Sequence, residues 1–464
     1  MRVLAVAAAL GLAIGLPADA PGPASQSIGW ADLAPLHTRL EAHGITAASF
    51  GAFVEKTHSD SLRRVREGDL DHLVFYALQS TGFTRLPRIE PALSAKALVD
   101  GLDTATRQAF IESRPDVSPS VPQAVRARVA ALLGTLNSPP RDARLTYFQS
   151  LVQTTFPDRG KREAALHREY LRAMRFVYQK EFVAQRAGAD AVAELYRTRG
   201  LSTDTAVEAG YVVYDGLGVV RALDPERRIR RVLIVGPGLD LAPRTGLVDA
   251  GPPDSYQPWA VIDALLALGL SSVDDLQVVG ADINSRVVQH LDRSRAAPPV
   301  LTLISEIGES DTVVLSAEYR KYFAQLGAAI GTPTLEAPSP GTTGTGRLRK
   351  TVRVGAKPAA VLTAATLDIV TERLNSGPFD LVVMTNVLPY FDDVQLMLAL
   401  SNIAAMLAPG GVFLHNEARP LLQEVTAALG FPVEHSRHAV IATVRGAAPL
   451  SDSVWLHRRQ ADKP

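Results

Sequence analysis

The 464-residue chain contains no cysteine. That absence excludes disulfides, thiolate nucleophiles, Cys-ligated zinc, iron–sulfur clusters and a lipid-anchored N-terminal Cys. Charge of either sign is not in surplus: 48 Lys and Arg balance 48 Asp and Glu. The positive excess with which nucleic-acid binders neutralise phosphate is therefore missing, and no nucleic-acid partner is expected. The sequence has no His-Glu-x-x-His, no Gly-x-Ser-x-Gly elbow, and no Gly-rich loop ending in Gly-Lys-Ser/Thr, so a helical zinc site, a hydrolase nucleophile and a phosphate loop have no candidate. His435 and His438 lie three apart in a strand-like run; they point to opposite faces and do not form a shared metal site. Only one uninterrupted apolar run stands out, at the N-terminus.

That run, Val3 to Leu16, follows Arg2 and ends in Pro17, Ala18, Asp19 and Ala20. A basic start, a short apolar stretch and a small-residue exit are the layout of an export signal, too short for a stop-transfer span. Cleavage after Ala20 or after Ala24 both fit. Residues 1–24 are thus read as a signal peptide, which makes the protein periplasmic or secreted, with no membrane span in the mature chain. The alternative is an Ala-rich N-terminal helix or a misassigned start, which would leave the chain cytoplasmic.

The remainder, with 47% apolar and 21% charged residues, has a globular composition, and its length suggests two or three folded units. From Ser25 to about Asp204 the pattern is helical. Ser120 and Pro122 open a helix with Val125, Val129, Leu132 and Leu133 on one face; Leu166, Tyr170, Leu171, Met174, Val177 and Tyr178 form a second apolar stripe. Arg162, Arg168, Arg172 and Arg175 alternate with Glu163, Glu169 and Glu181 along that second helix, which reads as a solvated face.

Near Ala206 the grammar changes. Val232–Val235 is a short β-branched run that reads as a buried strand, and Gly236-Pro237-Gly238 follows at once. In an open α/β sheet a glycine turn at a strand's C-terminal end lets backbone approach a nucleotide-like ligand. Pro258 to Gly269 then reads as a helix, Leu276–Gly280 as a second strand, and Asp282 stands just beyond it. A carboxylate there offers only acceptors and suits ribose hydroxyls; its other reading is the N-cap of the next helix. Val361–Leu367 reads as a third strand with Asp368-Ile369 at its exit, and Phe379–Met384 as a fourth with Thr385-Asn386 at its end. Leu407–Gly411 reads as a turn before a fifth strand, Val412–His415, and Val440–Val444 with Val454–His457 as a closing hairpin.

This ordered set resembles the class I S-adenosylmethionine-dependent methyltransferases over about 260 residues. Within that superfamily, Gly280-Ala281-Asp282-Ile283 and Asn386-Val387-Leu388-Pro389-Tyr390-Phe391 are most similar to the chemotaxis-receptor glutamate methyltransferases. The resemblance implies an α/β fold: a Rossmann-like seven-stranded sheet, mostly parallel with a C-terminal antiparallel hairpin, in residues 206–464. An all-α N-terminal domain, residues 25–205, precedes it. It implies S-adenosylmethionine as cofactor, held by Gly236, Gly238, Asp240, Asp282, Ile283, Asp368, Thr385 and Asn386, and an unidentified methyl acceptor. Asn386, Tyr390, His415 and Glu417 are candidates for the acceptor side. The lack of Asn-Pro-Pro-Tyr argues against methylation of base amino groups.

Departures from the family pattern matter as much. The acid usual two residues before the first glycine is Ile234, and the third glycine is Asp240, which is expected to supply the lost carboxylate. About twenty residues separate Gly238 from Pro258 where a compact loop is usual, and Gly331–Gly346 reads as a mobile insertion rich in Gly, Thr and Pro. These departures, and an export signal that separates the enzyme from a cytosolic methyl donor, favour an alternative: a catalytically inactive methyltransferase-like binding module in the cell envelope. A nicotinamide-dependent oxidoreductase is a third possibility, disfavoured because the Gly-x-Gly-x-x-Gly spacing fails at Leu241.

Overall fold

The computed structural model describes residues 23–140, 142–241, 248–249, 251–334 and 346–460. The expected signal peptide up to residue 22, residues 242–247 and 250 of the long loop, and residues 335–345 of the Gly331–Gly346 insertion lie outside the described residues.

The sheet expected from the sequence is present. Its strands are β1 (Arg231–Val235), β2 (Gln277–Asp282), β3 (Leu362–Thr366), β4 (Phe379–Met384), β5 (Leu407–His415), β6 (Val433–Val444) and β7 (Leu450–Arg458), in the spatial order β3-β2-β1-β4-β5-β7-β6. The first five run parallel, and β7 inserts antiparallel between β5 and β6. An eighth strand, Val313–Leu315, pairs with β6 at the edge. Leu381, Val232, Val278 and Leu362 lie abreast across four strands and all are fully buried. Burial on both faces is why these runs are continuously apolar rather than alternating.

Several features differ from expectation. Leu407–Gly411 is not a separate turn: it belongs to β5, where a register shift opposite Phe379 and Leu381 absorbs the Pro-Gly-Gly residues and Gly410 takes φ +71°. Val300–Gly308, Gly331–Pro333 and Arg347–Val354 form a three-stranded antiparallel sheet inserted between β2 and β3. Just downstream of the expected signal, Ser25–Ser27 pairs with Glu372–Leu374, and Ile28, Leu33, Leu36 and Leu40 are buried with Met384 and Phe413. The Arg-rich helix Arg162–Tyr178 is not simply solvated: Arg172 reaches the buried Asp71 at 2.9 Å, and Arg175 lies over the Phe110 ring at 4.9 Å.

The longest helix, α1 (Phe50–Gln79), crosses above the C-terminal ends of the parallel strands. Its Gly68 explains how close the next crossing comes. A Cβ there would sit 1.9 Å from the Leu201 carbonyl oxygen, and one on Gly200 would sit 2.3 Å from the Gly68 nitrogen. Backbone therefore lies on backbone, tied by Leu201 N–H donating to the Arg64 carbonyl at 2.9 Å. In an open helix Gly→Ala stabilises by about 1 kcal/mol. Gly68→Ala is expected to do the opposite, destabilising by about 1–3 kcal/mol through overpacking, as a drop in the urea unfolding midpoint.

Candidate functional site

The first glycine turn leaves β1 with Gly236 at φ +66° and Gly238 at φ +74°, a conformation that favours glycine. The sequence reading assigned this bareness to an approaching ligand; the structure gives it to the protein itself. A Cβ on Gly238 would lie 2.2 Å from Thr205 Oγ1 and 2.4 Å from the Thr203 carbonyl oxygen, and one on Gly236 would lie 2.5 Å from Val387 Cγ2. The segment Leu201–Thr205 is strapped along the turn. Leu239 N–H donates to the Thr203 carbonyl at 2.8 Å, and Thr203 Oγ1 donates to the Leu239 carbonyl at 2.8 Å. Asp240 is corrected here: its Oδ1 accepts from Thr205 N–H at 3.0 Å, its backbone bridges to Asp254, and it does not line the adjoining cleft.

That cleft opens at the C-terminal ends of β1, β2, β3 and β4, at the switch point where the strand order reverses. It encloses about 850 Å³ counted to its open mouth. Gly236, Gly238, Asp282, Ile283, Asp368, Thr385 and Asn386 are brought together on its walls. The sequence reading missed the opposite wall, made by Ser61, Arg64 and Val65 of α1 and by the Leu201–Thr205 strap. Gly68 and Gly200 were the available signals.

Asp282 is 7% exposed at the tip of β2. Its Oδ1 accepts from Asn284 N–H at 2.8 Å, and Asn284, whose side chain accepts from Arg286 N–H, is the N-cap of α4 (Ser285–Ala296), counted after α2 (Val207–Leu223) and α3 (Gln257–Ala267). Burial pushes the Asp282 carboxyl up to about 6, against the lowering effect of the Asn284 and Gly238 amides. Asp368 is likewise raised by burial, while His58 Nδ1 on α1 sits 3.0 Å from its Oδ2. The third carboxylate on the walls is Asp204. Burial would raise it, but His72, 3.1 Å away, together with Arg199 and Ser202, brings it down to about 2. Arg64 commits its guanidinium to three carbonyls, those of Arg199, Tyr390 and Tyr196.

The fourth strand's exit is held from behind. Thr385 Oγ1 accepts from Gln257 Nε2 at 2.7 Å. Asn386 stands at φ +60°, unusual outside glycine, and is clamped by Asn416: Asn386 N–H donates to Asn416 Oδ1 at 2.9 Å and Asn416 Nδ2 donates to Asn386 Oδ1 at 2.8 Å.

Of the acceptor-side candidates, Asn386 and Tyr390 line the cleft; His415 and Glu417 do not. His415 is fully buried at the end of β5 with its Nε2 2.8 Å from His457 Nε2. Its Nδ1 accepts from Glu417 N–H, so in the neutral ring Nε2 carries the proton, and the His457 proton lies on Nδ1 toward the Phe431 carbonyl. Burial drives both rings down, His457 to about 4. The unfolded chain therefore binds protons that the native state refuses. Stability is full above about pH 6.5 and is lost as pH falls, at roughly 1.4 kcal/mol per pH unit for each ring down to its native pKa. His457→Phe should flatten the acid limb of a melting-temperature profile between pH 6.5 and 4.5.

No protein-family model matches this chain, and no curated protein matches it in sequence. The solved structures to which the chain is similar include the following three. Magnesium protoporphyrin IX methyltransferase ChlM from Synechocystis, with bound SAM, is 10% identical over 61% of this chain and 94% of that one, with a TM-score of 0.28. The N-methyltransferase NodS from Bradyrhizobium japonicum, in complex with S-adenosylhomocysteine, is 14% identical over 53% and 85%, with a TM-score of 0.27. A TehB-like SAM-dependent methyltransferase from Corynebacterium glutamicum is 12% identical over 52% and 87%, with a TM-score of 0.24. At these distances the likenesses carry neither activity nor substrate to this chain, whose strand order stands on its own pairings.

Proposed function

We propose that this chain binds S-adenosylmethionine in the cleft and transfers its methyl group to an acceptor. The observation that carries the reading is Asp282: a buried carboxylate at the tip of β2, facing a cleft at the switch point of a mostly parallel sheet. The donor set fits an adenosyl sulfonium. Acceptor-only groups at Asp282 and Asp368 suit hydroxyls and an amino group, and the cleft's one arginine, Arg64, is committed to carbonyls, leaving no competing cation among the described lining residues.

When bound, the cofactor supplies an electrophilic methyl on sulfur. The chain's own part is to hold, orient and exclude water. In this reading Asp282 binds the ribose, Asp368 and Ile283 border the base, and Thr385 and Asn386, fixed by Gln257 and Asn416, shape the end nearest the acceptor. Val65, Leu201, Val387 and Phe391 keep that end dry. No histidine or lysine lines the cleft among the described residues, so an acceptor that needs no deprotonation, such as a carboxylate, suits it best. The likeness of Asn386–Phe391 to the chemotaxis-receptor glutamate methyltransferases makes a glutamate side chain the first acceptor to try. Export through residues 1–24 belongs to the same proposal.

Ile234, fully buried in place of an acid, supports the second reading, an envelope binding module without turnover. Calorimetry with S-adenosylmethionine, S-adenosylhomocysteine and NAD, on protein lacking residues 1–24, separates the readings. Binding of either sulfur compound supports the first, and silence toward all three sinks it.

A further inference from the structure

We infer that Asp204, on the strap between the helical region and the sheet, receives the positively charged end of the ligand, the ammonium group of its amino-acid tail. The inference rests on the cofactor reading above and adds a residue to it.

Three carboxylates line the cleft and they are not equivalent. Asp282 and Asp368 are 7% and 4% exposed and stand at the tips of β2 and just beyond β3. A ligand whose adenosine lies over those two strands has its remaining end over β1, where the strap crosses the glycine turn. Asp204 is at that end, with 30% of its side chain exposed. Its Oδ1 is buried against His72, while its Oδ2 accepts one hydrogen bond, from Ser202 Oγ at 3.1 Å, and a carboxylate oxygen can accept a second.

Among the described lining residues, nothing else at this end offers a negative charge. Ile234 is buried in the core and Asp240 is turned onto Thr205 N–H. The placement is also built: the strap is pinned to α1 through Leu201 N–H and the Gly68–Gly200 crossing, and to the turn through Thr203 and Leu239. A strap held at both ends presents its carboxylate in one position, which is what recognition of a small cation requires. His72, buried on α1, keeps Asp204 ionised and aimed.

The test compares two ligands that share the adenosine and sulfur but not the tail, S-adenosylhomocysteine and 5′-methylthioadenosine, by calorimetry on the full chain. Asp204→Asn is expected to weaken S-adenosylhomocysteine about 10-fold or more, as loss of a charge-assisted contact does, and to leave 5′-methylthioadenosine within about 2-fold. Asp204→Glu should recover part of the loss. Retained 5′-methylthioadenosine binding certifies that the variant is folded. If Asp204→Asn does not fold because His72 loses its partner, the pair H72Q/D204N restores a hydrogen bond between two amides and carries the same expectation. Equal weakening of both ligands, or no weakening of either, overturns the assignment alone. A wild-type chain that binds neither ligand overturns the cofactor reading, and this inference with it.

Discussion

Asp282→Ala is expected to weaken S-adenosylhomocysteine binding by roughly 10- to 100-fold, the worth of about 1–3 kcal/mol of hydrogen bonding to an ionised group. The burial that raises its pKa to about 6 gives the interaction a second signature. Above that pH the carboxylate is ready to accept from hydroxyls. Below it, the free protein carries a proton that ligand binding must expel, so affinity falls, with a slope approaching tenfold per pH unit for one linked proton. Titrations between pH 5 and 7.5 should show this limb in the wild type and lose it in Asp282→Ala. Unchanged affinity and an unchanged profile would leave Asp282 a structural residue whose task ends at the Asn284 and Gly238 amides.

The largest expected stability effect is at Gly238. Substitution by Ala places a side chain at φ +74° and drives its Cβ into the Thr203 carbonyl and the Thr205 hydroxyl. Strain at a glycine-favouring φ and overpacking against backbone each cost about 1–3 kcal/mol. Together they predict a loss of about 3–5 kcal/mol in chemical denaturation, with weakened ligand binding because the strap moves. Gly236→Ala shares the positive φ but meets only the tip of Val387, so its loss should be smaller and partly relieved in a Val387→Ala background. Equal losses at the two positions would contradict the strap as the reason for Gly238.

The sheet was legible because strands buried on both faces must be continuously apolar, and Val232–Val235 and Phe379–Met384 could hardly serve elsewhere. Asp282 was legible by address: a lone acid directly after an apolar strand. The glycines were noticed for a reason the structure replaces, since sequence shows that a backbone must come close but not which backbone. Asp240 misled on the same ground, its carboxylate being engaged by Thr205 N–H, 35 residues earlier. The wall from α1 was invisible because Ser61, Arg64 and Val65 face the cleft with mixed polarity, and an amphipathic pattern does not name what a face meets. The inserted three-stranded sheet escaped for a related reason. Arg347–Val354 carries four basic residues among its eight and pairs with Val300–Gly308 across some forty intervening residues, and no local signal encodes such a partner.

The measurement that bears most directly on the account is a crystal structure of the chain grown with saturating S-adenosylhomocysteine. The expected result is an adenosine lying under α1 across the tips of β2 and β3, with ribose hydroxyls within hydrogen-bonding distance of the Asp282 carboxylate. Clear density for the protein with an unliganded cleft, or the ligand seated elsewhere on the surface, would contradict it.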